Sequence, residues 1–185
     1  YFLELQRRRI SVYILHTPLD IHKRISTSRS IAKVLKVQNI REYNKHSIGY
    51  AGIYGTLEEK VSFIDFINSL KEIFNLNEIH YLRRFPTVYQ VGIIAGGGAD
   101  IEYIKETMDI GCDTYLSGDY LNKVNTENSI RRRVEFEKTK NSLNINLIEC
   151  SHYATEKVVL INEMRNYFIS LGLPTEFIDQ ANYWK

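Results

Sequence analysis

VYQVGIIAGGGADIEYIKETMD, Val88–Asp109, carries a strand, a glycine turn and a helix in direct succession. Val88–Ala95 is β-branched and apolar, Gly96-Gly97-Gly98 breaks the ladder, and Asp100 stands where a helix cap belongs ahead of the run to Asp109. The turn is neither a Walker A loop nor GxGxxG, because the lysine-serine and the second spacing are absent, and Asp100 would repel an anion. It reads as tight strand-to-helix packing that leaves exposed backbone for a substrate to approach.

The same succession recurs on either side. Cys112–Leu116 is a short strand ending in Ser117-Gly118-Asp119. Leu143–Cys150 is another, and the helix after it starts at SHYATE, Ser151–Glu156, and runs to about Ser170, where Gly172 and Pro174 stop it. Upstream, Ile10–Leu15 has strand composition and ends at HTPLD, His16–Asp20, where Pro18 interrupts the ladder. Ser26–Leu35 has helical spacing. Gly49–Tyr54 is β-like, and Gly55-Thr56 is expected to introduce a helix through a Thr56–Glu59 capping box, with Val61, Phe63, Ile64, Phe66, Ile67, Leu70 and Ile73 in the core. Lys123–Arg133 is polar without a strand pattern, and Thr175–Asp179 is expected to be a last strand. Alternating strands and helices predict an α/β (α+β mixed) fold with mostly parallel sheets and helices packed on them.

At 185 residues, 44% hydrophobic and 25% charged, the chain can bury a globular core. A formal charge of +2 argues against a dedicated nucleic-acid binder, and the runs Arg7–Arg9 and Arg131–Arg133 read as solvated faces. Cys112 and Cys150 border apolar stretches and form no CxxC, which suits reduced, buried thiols in a cytoplasmic protein. No run approaches the ~20 apolar residues of a membrane span. The chain starts at Tyr1 without a methionine, and YFLELQRRRISVYIL reads as a helix tail entering a strand, so upstream sequence is expected to be missing.

In parallel sheets, sites gather where strands end and helices begin. Here HTPLD, SGD and SHYATE are three such ends. His152 and Glu156 are four apart, so on a helix their Cβ atoms lie ~5–6 Å apart and both can reach one cation. Such a pair is more often a surface hydrogen bond. His16 and Asp20 flank the proline-stiffened loop, with His22 behind. Two histidine–carboxylate pairs together suit zinc, iron, manganese or cobalt better than calcium.

HTPLDIH, IIAGGGAD, YLSGD and SHYATE, in that order, resemble the Nif-three-like dinuclear metal-centre family, also known as GTP cyclohydrolase I type 2. The likeness spans about Ile10 to Asp179. It implies a two-lobed unit over residues 1–185, lacking the N-terminal part of the family domain, with two divalent metal ions. Asp20 would bind one ion, His152 the other, and Glu156 both. His16 would sit beside them, or act as an acid–base group. The resemblance also implies a homohexameric ring facing an internal cavity. This sequence departs from the family pattern in three ways. The His-His pair that precedes HTxxD in the family is absent, Ser151 replaces a glycine and is expected to be harmless, and no histidine follows Asp119 closely. The implied function is a metal-dependent hydrolase acting on a nucleotide-like or phosphorylated small molecule. The alternative is a non-catalytic, metal-dependent oligomeric scaffold or regulatory protein. Neither a membrane nor nucleic acid is an expected partner.

Overall fold

The computed structural model describes residues 1–121 and 123–180. Its strands, β1 Gln38–His46, β2 Gly49–Ser62, β3 His80–Leu82, β4 Thr87–Ile94, β5 Thr114–Ser117 and β6 Asn146–Glu149, form one sheet in the order β1-β2-β4-β5-β6-β3. β4, β5 and β6 are mutually parallel, whereas β1 on β2, β2 on β4 and β3 on β6 are antiparallel. The fold is mixed α/β as expected, but the expectation of mostly parallel sheets is corrected. The reason is the hairpin: β1 and β2 are separated only by Ser47 and Ile48, and a two-residue connection can join only antiparallel neighbours.

Helices cover both faces. α1 Phe2–Arg7 and α2 Thr17–Asp20 precede α3 Thr27–Val34. α4 Phe63–Phe74 follows β2, α5 Ile101–Asp109 links β4 to β5, and α6 Glu127–Thr139 leads on to β6. α7 His152–Val159 continues through a π-helical turn, Leu160–Met164, into α8 Arg165–Ser170. Side chains alternate across a strand, so neighbours on β4, β5 and β6 serve different cores. Ile93, Leu116 and Ile148 join Phe63, Phe66, Leu70 and Val158 on one face. Ile94, Tyr115 and Leu147 join Ile104 and Phe136 on the other. Each large buried aliphatic side chain contributes about 1.5–3 kcal/mol.

Four expectations need correction. The run from Thr56 to Ser62 extends β2, with Thr56 opposite Gln90 and Ser62 opposite Thr87, so the helix begins at Phe63. Ser62 caps it, accepting from the Asp65 amide at 3.1 Å while its hydroxyl donates to the Asp65 carboxylate at 2.6 Å. Ile64 and Ile73 face outward, while Phe63, Phe66, Ile67, Leu70 and Phe74 take the buried stripe. Ile10–Leu15 is not a strand: no described strand pairs with it, and Tyr13 and Ile14 are 87% and 85% exposed. Thr175–Asp179 is likewise irregular. The polar stretch after Lys123 turns into α6, capped by Thr126 at the Ser129 amide, with only Ser129 and Phe136 buried. That narrow stripe gives almost no apolar periodicity to recognise.

Both cysteines are free and buried, and burial pushes the Cys112 thiol up to about 12 and the Cys150 thiol higher still. Among the described residues no helix is long and apolar enough to cross a membrane. Arg131, Arg132 and Arg133 turn to Asn128, Asp100 and the Val124 carbonyl, so the basic run is engaged locally.

Candidate metal centre

The parallel strands β4, β5 and β6 end together at Ile94, Ser117 and Glu149, and the turns that follow are woven into one another. The Gly96 amide donates to Thr155 Oγ1 at 3.0 Å, and the Asp119 amide donates to the Gly96 carbonyl at 3.0 Å. Space there is minimal. A Cβ on Gly118 would lie 2.5 Å from the Gly96 carbonyl oxygen and 2.8 Å from His152 Cα. Gly96 has φ +67°, and a Cβ there would collide with Glu156 Oε1. The glycine turn is therefore a packing surface that seats α7, with Asp100 capping α5 at the Glu102 amide.

His152 opens α7 and Glu156 lies one turn on. His152 Nε2 is 3.0 Å from Glu156 Oε1, and Nδ1 is 2.9 Å from Asp119 Oδ2. The hydrogen bonds that the ring donates to Asp119 and then to Glu156 push the His152 pKa up to about 10, against the opposing effect of burial. Ser151, expected to be harmless, adopts φ +67° and ψ +131°, where a side chain is strained, while its hydroxyl accepts from the Ala154 amide at 3.4 Å. The position favours glycine for a backbone reason.

HTPLD arrives from the other side. His16 stands at the N-cap of α2, whose short turn holds Pro18 and ends at Asp20. Asp20 Oδ1 accepts from Thr27 Oγ1 at 3.0 Å. The next residue along α3, Ser28, donates to the Ala51 carbonyl at 2.7 Å and accepts from the Ala95 amide at 3.1 Å. α3 is thus stapled to the end of β4, which brings Asp20 to the SHYATE side of the sheet. Burial raises the Asp20 pKa; the Thr27 hydrogen bond lowers it, nearby Glu156 raises it, and His16 and His152 lower it. His22 stays apart, its Nδ1 accepting from the Arg24 and Ile25 amides.

All four predicted site residues, His16, Asp20, His152 and Glu156, line one cavity of about 210 Å³. His46 and Asn44 of β1 and Tyr103 of α5 line it too. Sequence reading missed these three because β1 was not identified as a strand and Tyr103 sits within a helix of ordinary pattern. A larger cleft of about 500 Å³ lies against Asp119 and Ser151 and holds the Lys123–Glu149 ion pair.

The donor set matches a borderline divalent ion: an imidazole nitrogen and a carboxylate oxygen 3.0 Å apart, near the spacing of two ligands each about 2.0–2.2 Å from a shared centre. Asp20 supplies a second carboxylate on the same cavity. Among the described residues, no group of three or more His, Cys, Asp or Glu side chains is gathered closely enough to hold a metal ion. The described residues therefore fit part of a metal site, a paired bite and a separate carboxylate.

A family model described as Duf34/NIF3 (NGG1p interacting factor 3) matches residues 1–182. The chain belongs to the Duf34/NIF3 family. Among its Duf34/NIF3 relatives, the GTP cyclohydrolase 1 type 2 homolog of Haemophilus influenzae is 28% identical over 111 residues, covering 60% of this chain and 43% of that protein. The GTP cyclohydrolase 1 type 2 homolog of Pyrococcus abyssi is 26% identical over 185 residues, covering 92% of this chain and 62% of that protein. The chain thus spans about half the length of these curated relatives. TTHA1606 from Thermus thermophilus superposes with a TM-score of 0.73 at 18% identity, covering 98% of this chain and 66% of that one. Staphylococcus aureus protein SA1388 gives 0.70 at 16% identity, covering 99% and 72%. At those identities the structures share the fold.

Proposed function

We propose that this chain is a dinuclear-metal-binding protein acting as a metal-dependent hydrolase on a nucleotide-like or phosphorylated small molecule. The observation that carries the reading is the convergence of two sequence-distant histidine–carboxylate pairs, His16 with Asp20 and His152 with Glu156, on one cavity. The names of the curated relatives, GTP cyclohydrolase 1 type 2 homologs, support the substrate class.

Asp20, His152 and Glu156 would hold the divalent ions. Bound there, such ions supply Lewis acidity, lowering the pKa of a water and stabilising negative charge on an oxygen of the substrate. The protein's own part follows from its geometry. The Gly96 turn and Thr155 fix the start of α7, which keeps His152 and Glu156 on one side of the cavity. Thr27 holds Asp20 by one oxygen and leaves the other for a ligand. His16, exposed at the rim with Nδ1 3.5 Å from Thr17 Oγ1, is placed to carry a proton between substrate and solvent. Ile21, Ala51 and Ile94 line the same cavity with apolar surface, limiting water around a bound substrate.

Metal content per subunit, measured by elemental analysis on the purified protein and on Glu156→Ala, tests this. Close to two ions in the first and a clear loss in the second is the expected result, followed by hydrolysis when purine nucleotides and phosphoesters are screened. Little metal after anaerobic purification and reloading would overturn the hydrolase reading in favour of a scaffold.

A further inference from the structure

We infer that Asp119 is a positioning residue for His152, holding the imidazole so that Nε2 is the nitrogen offered to the cavity. Of the three motifs HTPLD, SGD and SHYATE, SGD is the one whose carboxylate does not line that cavity; it borders the larger cleft and reaches His152 from behind.

Two observations carry the inference. His152 is spanned, with Asp119 Oδ2 2.9 Å from Nδ1 and Glu156 Oε1 3.0 Å from Nε2. The Asp119 backbone is also fixed at both ends: its amide donates to the Gly96 carbonyl at 3.0 Å, and its carbonyl accepts from Ser117 Oγ at 3.1 Å. With no room for a Cβ on Gly118, the turn has little freedom to swing the carboxylate away. A neutral imidazole coordinates through one nitrogen and keeps its proton on the other. An acceptor fixed at Nδ1 therefore selects the form whose lone pair is on Nε2, and it stops the ring from turning over. Glu156 could not do this, because it faces the nitrogen that must be left free.

The inference rests on the metal-binding reading for its consequence, but the ring's orientation can be measured without metal. Cobalt(II) affinity, followed by visible absorption, is to be compared in the wild-type chain, Asp119→Asn and Asp119→Ala. Each metal-free protein also gives a melting curve and a crystal structure. The expected result is affinity weakened about 10–100-fold in Asp119→Ala, the usual cost of losing such a partner. Asp119→Asn should fall between, since its amide oxygen still accepts from Nδ1 without the charge. The His152 ring should be displaced in the alanine protein and retained in the asparagine protein, with melting temperatures close to wild type. Wild-type cobalt affinity in Asp119→Ala, or an unmoved ring, would overturn the inference. If the wild-type chain binds no cobalt, the metal reading fails, and the ring orientation in Asp119→Ala against Asp119→Asn still decides the role of Asp119. If Asp119→Ala does not fold, the cobalt affinity and ring of Asp119→Asn decide: weakened affinity with a retained ring supports the role, and unchanged affinity overturns it.

Discussion

The two halves of the candidate site are held in different ways. On the SHYATE side, His152 and Glu156 sit on a helix whose start is locked into the ends of β4 and β5 by buried hydrogen bonds and glycines with no spare volume. On the HTPLD side, Asp20 hangs on one hydroxyl, Thr27, at the end of a single helical turn, and the residues before it, Ile10–His16, are exposed. One half is preformed by the sheet; the other depends on α3 and its contacts. Close packing resists change far more than a single half-exposed hydrogen bond does, so the two halves should respond differently to substitution.

The sharpest way to break this comparison is Gly118→Ala. Its Cβ would meet the Gly96 carbonyl oxygen and His152 Cα, backbone atoms that cannot step aside, and Thr155 Oγ1, which the Gly96 amide holds in place, so a loss of about 2–3 kcal/mol is expected in chemical denaturation, with the midpoint falling accordingly. A loss under about 0.5 kcal/mol would show that the locked half is looser than its geometry. Ser28→Ala comes next, because it removes the donor to the Ala51 carbonyl and the acceptor for the Ala95 amide together; about 1–2 kcal/mol is expected in the same assay. Thr27→Val removes one hydrogen bond to a partly buried carboxylate and should cost about 0.5–1.5 kcal/mol, while weakening cobalt binding more than it weakens the fold. Equal effects on both would mean that Asp20 has no part in the site.

Ser151→Gly runs the other way. Relief of the positive φ outweighs the few tenths that glycine loses as an N-cap, so a gain of about 0.5–1 kcal/mol is expected in thermal unfolding. No gain would show that the serine hydroxyl compensates for the strain. The smallest effect concerns pH, since the His152 side chain is 36% exposed. Its pKa is raised from an ordinary 6.5 to about 10, so its contribution to the metal-free protein is complete below about pH 6.5 and is lost as the pH climbs to about 10. Stability should therefore fall across that window, and His152→Gln should flatten the fall. Identical pH profiles for the two proteins would contradict the spanned imidazole.

Local chemistry in the sequence determined much of this protein. The β4–turn–α5 unit, the Asp100 cap, the α7 start and its glycine stop, and the four candidate residues His16, Asp20, His152 and Glu156 all rest on short-range spacing or on motifs that keep the same order along the chain. Other features lay beyond its reach because long-range pairing sets them. Thr56–Ser62 has a convincing capping box, yet Thr56, Val61 and Ser62 pair with Gln90, Val88 and Thr87 of β4 across an irregularity in register, and β2 wins. Ile10–Leu15 has strand composition, but a strand needs a partner edge, and none is supplied among the described residues. α6 buries too little to leave a period. The direction of the sheet, the Asp119–His152 contact and the meeting of HTPLD with SHYATE depend on which strand ends become neighbours. That is a property of topology, decided when the hairpin and the parallel strands pack into one sheet, and no local pattern encodes it.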